Sequence, residues 1–239
     1  DSGTIRINGH DLRTPAGKQE VKRQLGYLPQ ELGLYPDLSA RAFLDDIAIL
    51  KGLADRATRR ARVSELLDAV GLTDVANRKL KTFSGGMKRR VGIAQALLAQ
   101  PRLLIVDEPT AGLDPEERVR FRTLLTTLGT DRTVLLSTHI VEDIATTCRQ
   151  LAVLGHGELL YTGDTTGLTA AANNRVWILR DPGPPPTDAT VVSAIYHGHT
   201  TEYRLIASQP PAPHAQPATP ALEDGYIALM QNHRIHTPP

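Results

Sequence analysis

Residues 103–108 read Leu-Leu-Ile-Val-Asp-Glu, and this block constrains the fold more than any other stretch of the 239-residue chain. A continuous apolar run of strand length suits a strand covered on both faces, and parallel sheets are the sheets that helices cover on both faces. The run ends in two adjacent carboxylates, Asp107 and Glu108. In an open α/β sheet the carboxyl ends of the strands are where ligands bind. One carboxylate there can hold Mg²⁺, directly or through water, and the other can position a water for attack on a phosphate. A strand that simply ends in an acidic turn is the plain alternative.

The flanking pattern favours an α/β layered domain. Residues 4–9 and 24–30 read as strands, the second stopped by Pro29, and 133–137 reads as a second buried strand. Helices are expected over 39–51, over 55–70 with Asp55 as N-cap and Gly71 as its stop, and over 85–99 with Ser84 as N-cap. Another follows Asp114, with Pro115 first, Glu116 and Glu117 in the opening turn and Gly129 at its end, as the helix dipole and its unpaired amides prefer. A helix over 140–148 and a hairpin around Gly155-His156-Gly157 come next. After about residue 173 the composition changes: 175–180, 189–196 and 201–207 read as strands, the prolines at 182 and 184–186 as a stiff connector, 209–220 as an exposed linker and 221–231 as a short helix. That helix puts Leu222, Tyr226, Leu229 and Met230 near one side, a docking face.

Composition narrows the classes. Lys+Arg number 27 against Asp+Glu 26, a net charge of +1, without the basic excess of a nucleic-acid binder. The single cysteine, Cys148, cannot form an internal disulfide and reads as a small core-facing residue suited to a reducing setting. No stretch reaches the ~20 apolar residues of a membrane-spanning helix, and Asp1-Ser2-Gly3-Thr4 has neither the basic nor the apolar region of a signal peptide. Arg59-Arg60-Ala61-Arg62 reads as a solvated helix face. Lys88-Arg89-Arg90 reads either that way or as cations near a phosphate.

The second informative block is Ser84-Gly85-Gly86-Met87-Lys88. A helix start with bare amides offers an anion its positive dipole end. Glycine costs ~1 kcal/mol relative to alanine in a helix interior, so two in the first turn suggest that something approaches the backbone closely. Gln30 and His139 each follow a strand and carry little weight singly.

Together these residues resemble the ATP-binding subunit of ABC transporters, over about residues 1–172. Gln30 matches the Q-loop, Phe83–Met87 the signature motif, Leu103–Asp107 Walker B, Glu108 its catalytic glutamate, Ala111–Asp114 the D-loop and His139 the switch histidine. The Met87-Lys88-Arg89-Arg90 run and Leu222-Glu223-Asp224 resemble the drug and antibiotic exporter branch. The resemblance implies a P-loop NTPase domain of ABC type with a helical subdomain over 1–172, and a small α+β extension over 173–239. It implies ATP and Mg²⁺ as cofactors, Glu108 and His139 as catalytic residues, and Gln30, Ser84, Gly85, Gly86, Asp107 and Asp114 as nucleotide-binding residues, with Asp107 and Gln30 near the metal. It further implies a transmembrane permease and a second ATP-binding subunit as partners, no nucleic acid, and a place on the cytoplasmic face of the membrane. The family's phosphate loop, G-x-x-x-x-G-K-S/T, has no match here: Gly17-Lys18-Gln19 lacks the upstream glycine and the hydroxyl. Family order puts that loop and its strand before Asp1, so the expectation is a chain truncated at its front and inactive alone. A non-catalytic binding remnant and a soluble ABC-type ATPase outside transport are the alternatives.

Overall fold

The computed structural model describes residues 2–236, with side chains as far as His233; Asp1 of the opening stretch lies outside them. The chain divides into two compact units, residues 1–139 and 140–239.

The first unit opens with a small hairpin, β1 (Arg6–Ile7) and β2 (His10–Asp11). The single strand expected over 4–9 is interrupted because Asn8 and Gly9 take φ of 50° and 83°, the left-handed pair of a tight Asn-Gly hairpin turn. Helix α1 (Pro15–Gln24) comes next, with the Thr14 hydroxyl accepting from the Gly17 amide; Gly17-Lys18 therefore lies inside a helix. Sequence reading assigned no element there. Strand β3 (Leu25–Leu28) leads to α2 (Ala40–Leu50) and α3 (Arg56–Ala69), capped by Ser39 and Asp55. Gly71, at φ 63°, stops α3. Helix α4 (Gly85–Leu97), capped by Ser84, precedes β4 (Leu103–Asp107); α5 (Pro115–Leu128), capped by Asp114, precedes β5 (Thr133–Ser137).

The strands form a parallel sheet in the order β3-β4-β5, with Leu28 opposite Val106 and Asp107 opposite Ser137. One apolar core unites Leu28, Leu104 and Val106 of the sheet with Phe43, Leu44 and Leu67 of the α2–α3 layer and with Phe121 of α5. Leu104 and Val106 are fully buried, each side chain contributing about 1.5–3 kcal/mol relative to exposure. Burial on both faces, expected for β4 and β5, holds only in part. On β4 the alternate residues are half-buried, and β5 is an edge strand whose Leu135 is 56% exposed. Thr133, Leu135 and Ser137 alternate along β5 and share one face of the sheet, and that face is the exposed one.

The basic run on α3 departs from the solvated face expected of it. Arg59 is buried, pairing with Asp45 at 2.8 Å and donating to the carbonyls of Leu53 and Ala54. Arg62 donates to the Leu97 carbonyl at 2.7 Å and pairs with Glu65; of the three arginines Arg60 is the exposed one. A guanidinium carries five donors, enough to satisfy carbonyls left open where helices end.

The second unit holds α6 (Val141–Thr147), the hairpin β6 (Gln150–Gly155) and β7 (Glu158–Asp164), and α7 (Thr165–Ala170). Beyond α7 lies a four-stranded antiparallel sheet of β8 (Val176–Asp181), β9 (Thr190–His197), β10 (Thr200–Ile206) and β11 (Gln216–Pro217), in the order β11-β8-β10-β9. Strand β11 falls inside the stretch read as linker; it pairs with β8, while Ala212 and Ala215 cover Leu179, Tyr203 and Leu205. Helix α8 (Leu222–His236) runs beyond the expected 231 and packs Leu222, Tyr226, Leu229 and Met230 against Val153, Leu160 and Leu168. The packing boundary at 139 thus lies before the motif boundary at about 172, because the hairpin and α7 share a core with α8. Cys148 is half-buried.

Candidate functional site

Three parallel strands end on one edge of the first unit's sheet, and their register aligns the residues just past each strand. Gln30 comes two residues after Leu28, the partner of Val106 on β4; Asp107 ends β4 and Glu108 follows it; His139 comes two residues after Ser137, the partner of Asp107. The sheet therefore brings Gln30, Asp107, Glu108 and His139 to a common edge. Gln30 and His139 are exposed, while Asp107 and Glu108 are half-buried.

Glu108 is the most constrained of them. Its backbone stands at φ 44°, a left-handed conformation that is uncommon for any residue but glycine and that marks functional sites more often than others. Its amide donates to the Ser137 carbonyl at 2.9 Å, which fixes the turn out of β4 to the end of β5. Its Oε1 accepts from the His139 amide at 3.1 Å and lies 2.9 Å from His139 Nδ1. With the proton on Nδ1 the ring donates to the carboxylate and leaves Nε2 outward. Glu108 Oε2 is buried and has no hydrogen-bond partner among the described residues. One oxygen is thus spoken for and the other is spare.

Arg89 was missed by sequence reading as a member of this edge. It projects from α4 and donates from Nη2 to the Ala111 carbonyl at 3.2 Å, and the Ala111 amide in turn donates to the Glu108 carbonyl. Partial burial pulls the guanidinium below its ordinary pKa, and the nearby Glu108 carboxylate pushes it back up. Arg90 forms an ion pair with Glu117 at 3.3 Å and donates to the carbonyls of Val70 and Gly71. Neither arginine belongs to a solvated face. The signal available in sequence was only the basic triplet, because the partners lie about 20 or more positions away.

The helix start at Ser84 is a separate feature. Ser84 caps Met87 at 3.2 Å. Gly85 and Gly86 differ sharply: a Cβ at Gly85 would meet nothing within 4 Å, whereas one at Gly86 would lie 2.5 Å from Glu117 Oε2. Within the chain, then, Glu117 stands close against Gly86, while Gly85 is open. Asp114 is exposed and accepts from the Glu117 amide at 2.9 Å as the cap of α5.

A family model described as ABC transporter matches residues 1–111. An uncharacterized ABC transporter ATP-binding protein of Synechocystis is 30% identical over 252 aligned residues, which take in 98% of this chain and 71% of that one. The chain belongs to the ABC transporter ATP-binding family. The linearmycin resistance ATP-binding protein LnrL of Bacillus subtilis is 38% identical over 169 residues, 70% of this chain and 53% of that protein. This cassette therefore spans about half the length of the first curated relatives it matches. Its fold is similar to the solved dimeric ATP-binding cassette MJ0796 in a post-hydrolysis state with ADP and Pi, at TM-score 0.60 and 27% identity over 68% of this chain and 73% of that one. Among the described residues of the cassette no helix is long and apolar enough to cross a membrane.

Proposed function

We propose that this cassette is the nucleotide-hydrolysing part of an ABC transporter, and that residues 1–172 carry the cassette motifs while 173–239 form an accessory extension. The observation that carries the reading is the half-satisfied Glu108 carboxylate at the sheet edge, with Oε1 held by His139 and Oε2 buried without a partner. That spare oxygen can accept a hydrogen bond from a water and hold it for attack on the γ-phosphate of ATP. His139 keeps the carboxylate aimed and presents Nε2 toward the phosphate side.

The donor set also suits Mg²⁺. Asp107 offers a half-buried carboxylate and Gln30 a carbonyl at the same edge. Mg²⁺ of this kind takes one or two protein ligands and fills its shell with water and phosphate oxygens. When bound, Mg²⁺ supplies charge neutralisation on the phosphates.

Ser84, Gly85 and Gly86 stand at the start of α4, and we assign this turn to the nucleotide of a second ATP-binding subunit, the two subunits pairing head to tail. Asp114 lies next to that pairing surface. A separate transmembrane permease, an export direction and a place on the cytoplasmic face of the membrane are drawn from the likeness to resistance proteins such as LnrL. The 239 residues contain no G-x-x-x-x-G-K-S/T run, so the chain by itself is expected to be inactive. Joining the chain to the strand and phosphate loop of a relative, and measuring phosphate release from Mg-ATP, tests the reading. Release that depends on Glu108 supports it, and a folded hybrid that binds ATP without turning it over argues for a binding module instead.

A further inference from the structure

Gly85 and Gly86 are neighbours in one motif, yet the structure gives them different surroundings. Gly85 faces open space, and Gly86 is buried under the Glu117 side chain. A Cβ at Gly86 would stand 2.5 Å from Glu117 Oε2 and 2.8 Å from both Cδ and Cγ, well inside contact distance. Glu117 is not free to swing aside. Its carboxylate pairs with Arg90 at 3.3 Å and with Arg120 at 3.3 Å, and the side chains of Glu117 and Arg90 are 15% and 14% exposed. Arg90 is itself fixed by the carbonyls that end α3, at 3.1 and 3.2 Å. Moving Glu117 would leave a mostly buried guanidinium, whose Nε already lacks a partner, without its counter-charge, a costly state.

We propose that Glu117 is the residue that dictates glycine at position 86, and that it is a positioning residue for the signature turn, holding the start of α4 against the start of α5. The positioning half rests on the reading of Ser84 and Gly85 as the cover of a partner's nucleotide. Glu117 is joined to the D-loop as well, since its amide is capped by Asp114. The same residue thus meets the D-loop through its backbone and the signature turn through its side chain. In this arrangement Gly85 is glycine for what lies outside the chain and Gly86 for what lies inside it.

The test is a double-substitution cycle in urea on the 239-residue chain, read by circular dichroism, with Gly86→Ala, Glu117→Ala and both together. Glycine-to-alanine in a helix ordinarily raises stability. Here Gly86→Ala is expected to lower the urea midpoint by roughly 1 M, the size of an overpacked site, and to lose that penalty or reverse its sign in the Glu117→Ala background. Glu117→Gln, which keeps the shape, should retain the penalty. A second arm measures ATP-dependent cross-linking of the same variants to an ATP-bound ABC subunit: Gly86→Ala should weaken it about tenfold, or 1.4 kcal/mol, and much less when Glu117 is alanine. A raised midpoint for Gly86→Ala in the parent, or an equal loss in both backgrounds, overturns the proposal. So does rescue in urea without rescue of cross-linking, because the nucleotide would then be what demands the glycine. If the parent shows no ATP-dependent cross-link at all, the function proposed above and the positioning role fall together, while the sign of the urea cycle still decides what dictates Gly86.

Discussion

Glu108 Oε1 receives both the backbone amide and the ring Nδ1 of His139, at 3.1 and 2.9 Å, across 31 positions of sequence. This two-point contact occupies one carboxylate oxygen and leaves the buried Oε2 without a partner among the described residues. A positive φ at a non-glycine residue costs local stability and is found most often at functional sites, which fits the role proposed for Glu108.

Glu108→Gln keeps the size and removes the charge. In a hybrid bearing a phosphate loop, hydrolysis should fall by about 10²–10⁴, the usual worth of a general base, with ATP binding retained and an ATP-locked pair accumulating. Phosphate release and size-exclusion chromatography read both effects. Hydrolysis near the parent rate would remove Glu108 from the catalytic role.

Glu108→Asn separates strain from function. Asn tolerates positive φ better than Glu, so the substitution should leave unfolding stability unchanged or raise it by up to about 1 kcal/mol while hydrolysis is lost. Thermal unfolding of the 239-residue chain reads the first part. A clear drop in stability would show that the His139 contact outweighs the backbone cost.

The chain alone should hold Mg-ATP no better than about 1 mM, or −4.1 kcal/mol, because one open helix start is a poor substitute for a phosphate loop. Calorimetry on the 239 residues checks this, and saturation in the micromolar range would contradict it.

In the second unit, Asp224 is fully buried and takes three hydrogen bonds from Arg204, two from Nε at 2.8 and 3.1 Å and one from Nη2 at 2.6 Å, together with one from the Ala221 amide. The paired carboxylate raises the Arg204 pKa. Arg204→Met would strand a buried carboxylate and should cost about 3–5 kcal/mol, read as a lower urea midpoint for this unit. A loss under about 1 kcal/mol would mean that water replaces the guanidinium freely.

Acid should loosen α3. The Thr58 amide donates to the Asp55 carboxylate and holds its pKa below the ordinary aspartate value of 3.8. A depressed folded pKa gives stability that is present above the unfolded value and lost as pH falls through the folded one. Between neutral pH and pH 3.8 the cap should contribute fully, and below 3.8 the parent should lose stability more steeply than Asp55→Asn. Equal slopes would remove this cap from the acid transition.

What the sequence determined by itself is whatever acts over a few residues. The caps Asp55, Ser84 and Asp114, the stop at Gly71, the apolar run of β4 and the Asp107-Glu108 pair at its end are all local decisions, and each stands where the sequence puts it. The Leu222-Glu223-Asp224 motif was legible as a mark of a transporter branch but not as the buried partner of Arg204, 20 positions earlier. Tertiary structure alone decided that Arg59, Arg62, Arg89 and Arg90 turn inward, that the Glu117 side chain stands against Gly86, that residues 216–217 join a sheet, and that Glu108 carries a positive φ. The reason is common to them. A charged side chain counts as a surface residue until distant carbonyls and carboxylates arrive to satisfy it, and those partners come from other elements of the fold, which no local pattern can foresee.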